Sequence, residues 1–124
     1  MRVSKYKLRF EVNQLPPTQN AQLRGGWRTK HGNAKKWKKL VWDATIDKQK
    51  PRDPIKKARL VLTRFSSVRG DYDGRVASFK PVVDGIVECK ILAGDTEDII
   101  GIPEYLWEKT KPGMGKISVE VFEL

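Results

Sequence analysis

The sequence predicts an α/β (α+β) fold in which two main helices pack on a single mixed β-sheet. Three observations lead to this prediction: segments in which apolar and polar residues alternate, two segments with apolar residues at helical spacing, and proline or glycine at the boundaries between them. The chain has 124 residues, of which 39% are hydrophobic, and this is enough for one core. We therefore expect one domain that spans residues 1–124.

The first half of the chain is predicted to form a strand, a helix and a second strand. Residues 3–12 alternate between apolar and charged side chains, and two consecutive prolines follow a few residues later. A basic, glycine-rich loop then leads to an amphipathic helix from about Ala34 to Lys48, for which Asn33 is the expected N-cap. The alternation returns in residues 56–65, which we expect to form the second strand.

The second half is predicted to contain a helix between two acidic loops, followed by two strands. Apolar residues at helical spacing place the helix at residues 82–91, with Ser78 as a candidate cap and Gly94 as its end. The remaining elements are acidic loops at residues 71–74 and 95–98 and strands at residues 99–107 and 117–121.

The charge of the chain is strongly positive and unevenly distributed. Its 25 Lys and Arg outnumber its 15 Asp and Glu, which gives a formal net charge of +10. Residues 1–70 contain 19 basic and 4 acidic side chains, whereas residues 71–124 contain 6 basic and 11 acidic ones. A basic surface of this kind favours binding to the phosphates of nucleic acid. The carboxylates within it would repel phosphate unless a cation lay between them.

The rare residue types exclude several kinds of chemistry. Cys89 and His31 are the only cysteine and the only histidine, which excludes a disulfide framework, a cysteine-based zinc cluster and a multi-histidine metal site. The sequence contains neither an apolar signal region near its start nor a run of about 18 apolar residues. We expect a cytoplasmic protein in a reducing compartment, with Cys89 packed as a small apolar residue.

Two acidic loops flank the second helix and could meet at one end of the sheet. Asp71 and Asp73 are two residues apart, so in an extended segment both would point to the same side. Asp95 follows the helix and would approach them if that helix packs back on the sheet. Two or three convergent carboxylates are the oxygen ligands that Mg²⁺ prefers. An Asp-x-Asp-Gly sequence is equally typical of an ordinary solvated turn.

A different nuclease pattern is also present in the sequence. Glu88 and Lys90 follow the acidic loop in a Glu-x-Lys arrangement, as in a large class of nucleases. That chemistry needs both side chains on one face of a strand, whereas the spacing of residues 82–91 predicts a helix. We therefore do not expect this pair to form the site.

Several of these motifs, in this order, resemble the RusA family of Holliday junction resolvases, which occur in bacteria, prophages and phages. Gly74 stands where the family commonly has Asn, and Gly94 replaces the first acid of its usual acid pair. The motifs that carry the resemblance are Leu15–Asn20, Asp71–Gly74, Phe79–Val87 and Gly94–Thr96.

The resemblance implies a RusA-like fold and a homodimer with two active sites that cuts four-way DNA junctions by paired symmetric nicks. It also implies dependence on Mg²⁺, with Mn²⁺ as an expected substitute. Lys80 corresponds to the family's catalytic-site lysine, and Asp84 is expected to support the site. Asp98 could replace Asp95 as a ligand. The residues that match the catalytic, metal-binding acids are Asp71, Asp73 and Asp95.

The basic residues of the first half are the expected DNA-binding surface. Trp27 lies in the basic loop and is a candidate for stacking on an unpaired base, whereas Trp37, Trp42 and Trp107 are expected in the core. The expected DNA-binding residues are Arg24, Trp27, Arg28, Lys30, Lys35, Lys36, Lys38, Lys39 and Arg69.

Two other functions are open at this stage. One is a non-catalytic nucleic-acid-binding protein of the same ancestry, with its acidic loop degraded, and the other is a small basic structural protein associated with RNA or the ribosome. A nuclease needs its metal and loses function with a single carboxylate, whereas the two binding proteins need no metal.

Overall fold

The computed structural model of the chain describes residues 5–17 and 26–124, and the side chains of residues 26–31 lie outside the described part. Four strands and four helices form within these ranges. In chain order they are β1 (Lys7–Val12), α1 (Gly26–Thr45), β2 (Ala58–Ser66), α2 (Tyr72–Ser78), α3 (Lys80–Glu88), α4 (Glu97–Ile100), β3 (Glu104–Lys109) and β4 (Lys116–Glu123).

The strands form one mixed sheet with the order β1-β4-β2-β3. β4 is antiparallel to both β1 and β2, whereas β2 and β3 are parallel. α2, α3 and α4 lie in the connection between the parallel strands, as expected because parallel neighbours need a long crossover. The predicted fold class, a single mixed sheet with helices packed on it, is confirmed.

The core lies between the sheet and the two longest helices. The alternation predicted for the first strand is confirmed, because Leu8, Phe10 and Val12 are buried while their neighbours are exposed. α1 and α3 approach each other closely at Gly85, where an added Cβ would lie 3.1 Å from the carbonyl oxygen of Trp37. Glycine at this position therefore allows the two helix backbones to pack against each other.

The two ends of the sheet differ in what surrounds them. At the end that we call the Ser66 end, β2 finishes and β4 begins, since Phe65 pairs with Lys116. At the opposite end, which we call the Ala58 end, β2 begins next to the end of β4. The two ends of β2 are eight residue steps apart, which corresponds to about 26 Å at 3.3 Å per residue.

The first long helix begins earlier than predicted. Asn33 lies inside α1 and is not its N-cap, and the part of the predicted glycine-rich loop from Gly26 onward is helical. Glycine costs a helix only about 1 kcal/mol, and a helix anchored in the core by Trp37 and Val41 can extend over it. α1 ends at Thr45, whose hydroxyl donates to the carbonyl of Val41.

The prediction of the second half is also corrected at several points. Helix α2 begins at Tyr72, inside the predicted acidic loop, and α4 forms inside the second one. Ser78 caps no helix, because its hydroxyl donates to the carbonyl of Arg75. β3 starts only at Glu104, directly after Pro103, since proline lacks the N–H that a strand ladder requires.

The tryptophans are distributed differently from the prediction. Trp37 is buried as expected, but Trp42 is 50% exposed, so its expected place in the core is wrong. Trp107 is half-buried, and its indole N–H donates to the hydroxyl of Ser66 at 2.9 Å. Cys89 is free and buried among apolar residues, as predicted. In the described ranges, the helices are too short or too polar to cross a membrane.

Candidate functional site

Lys80 joins two of the predicted site residues. Its Nζ lies 2.8 Å from Oδ2 of Asp95 and 3.0 Å from Oδ1 of Asp84. Lys80 and Asp84 are one turn apart on α3, so they lie on the same helix face. Asp95 is brought to them because the chain turns back after α3. The structure thus brings Lys80, Asp84 and Asp95 together at the start of α3.

This ion pairing shifts the pKa values of both partners. The hydrogen bond from Lys80, together with its charge, lowers the pKa of the Asp95 carboxyl. The hydrogen bond to Asp95 is the largest influence that raises the pKa of Lys80, while partial burial opposes it. Both groups are therefore charged across the neutral pH range. Asp98 is turned to a different partner, the hydroxyl of Thr96.

The first acidic loop has a different geometry from the predicted extended one. Asp71 is the N-cap of α2, and its Oδ1 accepts a hydrogen bond from the backbone N–H of Gly74 at 2.6 Å. Asp73 is exposed in the first turn of the helix. The prediction that both carboxylates project from one side of an extended segment is wrong, because helix α2 begins at Tyr72.

Gly74 contributes to this cap through its lack of a side chain. A Cβ at Gly74 would lie 2.7 Å from Oδ1 of Asp71, which is too close for an unstrained contact. The glycine at this position therefore leaves room for a carboxylate that folds back over the backbone. Any larger residue here would push the carboxylate of Asp71 aside.

Tyr105 on β3 lies between the two acidic segments. Its ring meets that of Tyr72 edge-on with centroids 6.3 Å apart, and it contacts Phe79 at 6.0 Å. Burial is the main cause that raises the pKa of Tyr105, and the positive charge of Lys80 acts in the opposite direction. Tyr105 therefore interacts electrostatically with Lys80 and packs against Tyr72 at the start of α2.

A pocket of about 450 Å³ opens at the Ser66 end of the sheet, beside Asp71. Arg64 donates from Nη1 to the carbonyl of Pro16 and to Ser78, and Arg75 donates from Nε to the carbonyl of Tyr105. These bonds hold the two guanidinium groups in place. The charged residues that line the pocket are Arg64, Arg69, Arg75, Lys111 and Asp71.

The environment of Arg64 is unusual for a charged residue. Arg64 lies near the Ser66 end of β2, a strand with a neighbour on each side. It is half-buried, and this burial lowers the pKa of its guanidinium. A buried cation is costly unless it has a partner. The two acceptors that it has among the described residues are both neutral. Arg64 therefore has unused capacity to bind an anion in the pocket.

The acidic side chains provide the right type of ligand atom for Mg²⁺, because this cation prefers carboxylate oxygens. Within residues 5–17 and 26–124, however, no three His, Cys, Asp or Glu side chains are grouped closely enough to hold a metal ion. Asp95 is paired with Lys80, and Asp71 caps α2. A divalent cation at Asp95 would compete with Lys80 for the carboxylate.

The predicted DNA-binding residues lie on several elements. Arg24 lies outside the described residues, as do the side chains of Trp27, Arg28 and Lys30 on α1. Lys38 is 3.7 Å from Glu88 on α3, and the Arg69 guanidinium lies 5.8 Å from the ring centroid of Trp107. The predicted side chains that are exposed on the described surface are Lys35, Lys36, Lys38, Lys39 and Arg69.

The Glu-x-Lys alternative does not fit the geometry. Glu88 is the last residue of α3, and Lys90 follows the helix with a φ of 65°. They therefore do not share one face of a strand, as that chemistry would require.

Sequence reasoning missed three residues that shape this site: Arg64, Arg75 and Tyr105. A detectable signal existed for Arg64, because an arginine in the apolar segment Ala58–Ser66 implies a buried or half-buried cation. The positions of Arg75 and Tyr105 depend on contacts between α2 and β3, and nothing local in the sequence reports them.

No protein-family model matches this chain, and a search of the curated proteins finds no match either.

Proposed function

We propose that the protein is a Mg²⁺-dependent endodeoxyribonuclease that cuts branched DNA, chiefly four-way junctions, in the manner of the RusA family. The observation that carries this proposal is that Asp71 shares a pocket with three arginines and Lys111. Guanidinium groups bind phosphate oxygens in pairs of hydrogen bonds, and they retain their charge at every working pH. A phosphodiester held by these cations would lie next to Asp71, the one proposed catalytic acid that lines this pocket.

The acids of the proposed site are Asp71, Asp73 and Asp95. When bound to them, Mg²⁺ would polarise the phosphodiester, activate a water and stabilise the leaving oxygen. Lys80 keeps Asp95 ionised, because it lowers the pKa of that carboxyl. Asp84 holds Lys80 from one helical turn away. Lys80 is thereby positioned to contact a phosphate oxygen once Asp95 takes another partner.

A homodimer suits this activity, because two active sites related by a two-fold axis can cut two symmetry-related strands of a junction. Such a substrate implies action in the cytoplasm of a bacterial or phage-infected cell.

The direct test is a nicking assay on a synthetic four-way junction, with Mg²⁺ and with EDTA. The wild-type protein should cut only with Mg²⁺. Asp73→Asn removes a charge with little change in shape, so it should abolish cleavage and retain junction binding. Asp47→Asn is the matched control, because Asp47 is an exposed aspartate outside the site, and it should cut like the wild type. Cleavage by Asp73→Asn at the wild-type rate would overturn the assignment.

Selectivity for junctions has a separate test. A dimer should cut opposing strands at matching positions and should cut linear duplex far more slowly. Mixing wild-type chains with an excess of Asp71→Asn chains should convert paired cuts into single nicks, provided that subunits exchange. Equal cleavage of junction and linear duplex would leave only a metal-dependent nuclease.

One observation favours a second candidate, a non-catalytic nucleic-acid-binding protein. In the described part of the chain the three candidate acids do not form a group, and Lys80 already neutralises Asp95. Such a protein would bind the junction equally well with Mg²⁺ or EDTA, tolerate Asp73→Asn without change and cut nothing. The nicking assay therefore separates the two candidates.

A further inference from the structure

A large groove crosses the Ala58 end of the sheet, opposite to the pocket beside Asp71. It has a volume of about 1490 Å³. Its walls are formed by the start of β1, by the end of β4 and by the segment from Lys48 to Lys57 that leads into β2. The groove therefore shares no lining residue with the candidate functional site.

The groove is strongly basic. Eight basic and two acidic side chains line it, an excess of six positive charges. Glu123 is already engaged, because it accepts a hydrogen bond from the backbone N–H of Tyr6. The basic residues are Lys5, Lys7, Arg9, Lys48, Lys50, Arg52, Lys56 and Lys57.

Most of these cations form no ion pair with the part of the chain that the structure describes. Of the eight, only Arg9 forms an ion pair with a described residue, at 3.6 Å from Glu11. Lys50 donates to the carbonyl of Thr45, which is neutral. Asp53, the other acidic residue of the groove, pairs with none of them. Like charges that line one groove repel one another, so an anion that enters the groove would reduce this repulsion.

The backbone beneath the groove is fixed by hydrogen bonds. The N–H of Ile55 donates to the carbonyl of Ile91, and the N–H of Ala93 donates to the carbonyl of Ile55, both at 2.9 Å. The hydroxyl of Tyr6 donates to the carbonyl of Gln49 at 2.7 Å. These bonds hold the backbone of the segment from Lys48 to Lys57 against the chain that follows α3 and against the residue that precedes β1. The backbone that carries its cations is therefore ordered before a ligand binds, which lowers the entropy cost of binding.

We propose that this groove binds the sugar–phosphate backbone of duplex DNA as a second contact surface, separate from the candidate active site. A single phosphate would use one or two of the cations, whereas a nucleic-acid strand presents several phosphates in a row. The two ends of β2 are about 26 Å apart, which corresponds to about eight base pairs at 3.4 Å each. The groove would therefore hold an arm of the substrate at about this distance from the pocket beside Asp71, while Asp95 lies two residues after Ala93, which lines the groove.

The shape of the groove favours a nucleic-acid strand over a lipid surface. A membrane is flat and contacts protruding side chains, whereas buried Leu8 and Ile55 form part of the floor of this groove. The choice of DNA among polyanions rests on the proposed function, but the existence of the groove and its charge does not.

The test measures binding of a fluorescein-labelled, unbranched duplex of 24 base pairs by anisotropy, in EDTA, between 50 and 200 mM salt. The groove variant is Lys56→Gln with Lys57→Gln. Its matched control is Lys90→Gln with Lys109→Gln, which removes the same charge from two exposed residues that line neither the groove nor the pocket.

Each lost phosphate contact lowers the slope of log affinity against log salt by about 0.9. We therefore expect the slope of the groove variant to be smaller than that of the wild type by about 1.8. The slope of the control variant should stay close to that of the wild type. Over this range, the ratio of low-salt to high-salt affinity should fall about tenfold in the groove variant. An equal loss in both variants would mean diffuse attraction by the net charge and would overturn the proposal, as would an unchanged slope in the groove variant.

Vesicles that contain 30% phosphatidylserine serve as the second probe. A greater loss of affinity for vesicles than for duplex in the groove variant would assign the surface to lipid and overturn the proposal. If only the nuclease proposal is wrong, the protein will not cleave the junction in Mg²⁺, but its binding to duplex DNA in EDTA will still depend on Lys56 and Lys57.

Discussion

Asp71 is the N-cap of α2 and is also a proposed catalytic acid. Two substitutions can separate these two roles. Asp71→Asn keeps an oxygen that can accept the hydrogen bond from Gly74, and Asn is as good an N-cap as Asp. Asp71→Ala removes the acceptor. Both variants remove the negative charge. We therefore expect both to lose cleavage, and only the alanine variant to lose substantial stability.

The size of the difference follows from the cap. Loss of an N-cap side chain costs about 1 kcal/mol. The asparagine variant loses only the attraction between a charge and the helix N-terminus, about 0.3 kcal/mol at an exposed position. Unfolding entropy of about 2.1 cal/mol/K per residue makes 1 kcal/mol equal to about 4 °C in Tm for a chain of 124 residues. Tm should therefore fall by about 4 °C for Asp71→Ala and by about 1 °C for Asp71→Asn.

Calorimetry of both variants beside the nicking assay on a four-way junction checks this reasoning. The control is Asp47→Asn, which should change neither Tm nor cleavage. Equal Tm losses for the alanine and asparagine variants would refute the cap. Wild-type cleavage by Asp71→Asn, with its Tm nearly unchanged, would refute the catalytic role and leave the cap as the only function of this residue.

Three further predictions concern the ion pair, the helix contact and the pocket. Lys80→Gln should lower the free energy of unfolding by only about 0.5 kcal/mol at neutral pH, because the ion pair with Asp95 is exposed. The pKa of the Asp95 carboxyl is lowered in the folded state, so the ion pair is lost when the carboxyl is protonated. Urea titrations should therefore show the difference between the two proteins disappear as the pH falls below 3.8, the ordinary pKa of an aspartate. Gly85→Ala places a Cβ 3.1 Å from the carbonyl oxygen of Trp37 and should destabilise the protein by about 1–3 kcal/mol in the same titrations. Arg64→Gln should weaken junction binding in EDTA and lower its salt slope by about 0.9, and an unchanged slope would remove Arg64 from the phosphate site.

The strands show how much of this fold is local information. Burial of alternate residues in β1 follows directly from the alternation in the sequence, because successive side chains of a strand point to opposite faces. In β4 the apolar Ile117, Val119 and Val121 are buried as the alternation predicts, but Ser118 is buried as well. The helical spacing of apolar residues in the segment that forms α3 also predicted which face of that helix is buried. The boundaries of the helices were not predicted, since α1 extends to Gly26 and the chain from Tyr72 to Glu88 divides into two helices at Phe79.

The sequence by itself determined which residue types are available: a basic first half, an acidic second half, and aspartates in two short segments on either side of a helix. It also indicated the buried faces of β1 and α3, because those faces follow the spacing of apolar residues along each element. Tertiary structure decided which charges meet. Lys80 pairs with Asp95 across fifteen residues, and Arg64 reaches the carbonyl of Pro16 across forty-eight. Such pairs depend on how separate segments pack, and no local pattern of residues encodes the distance between them.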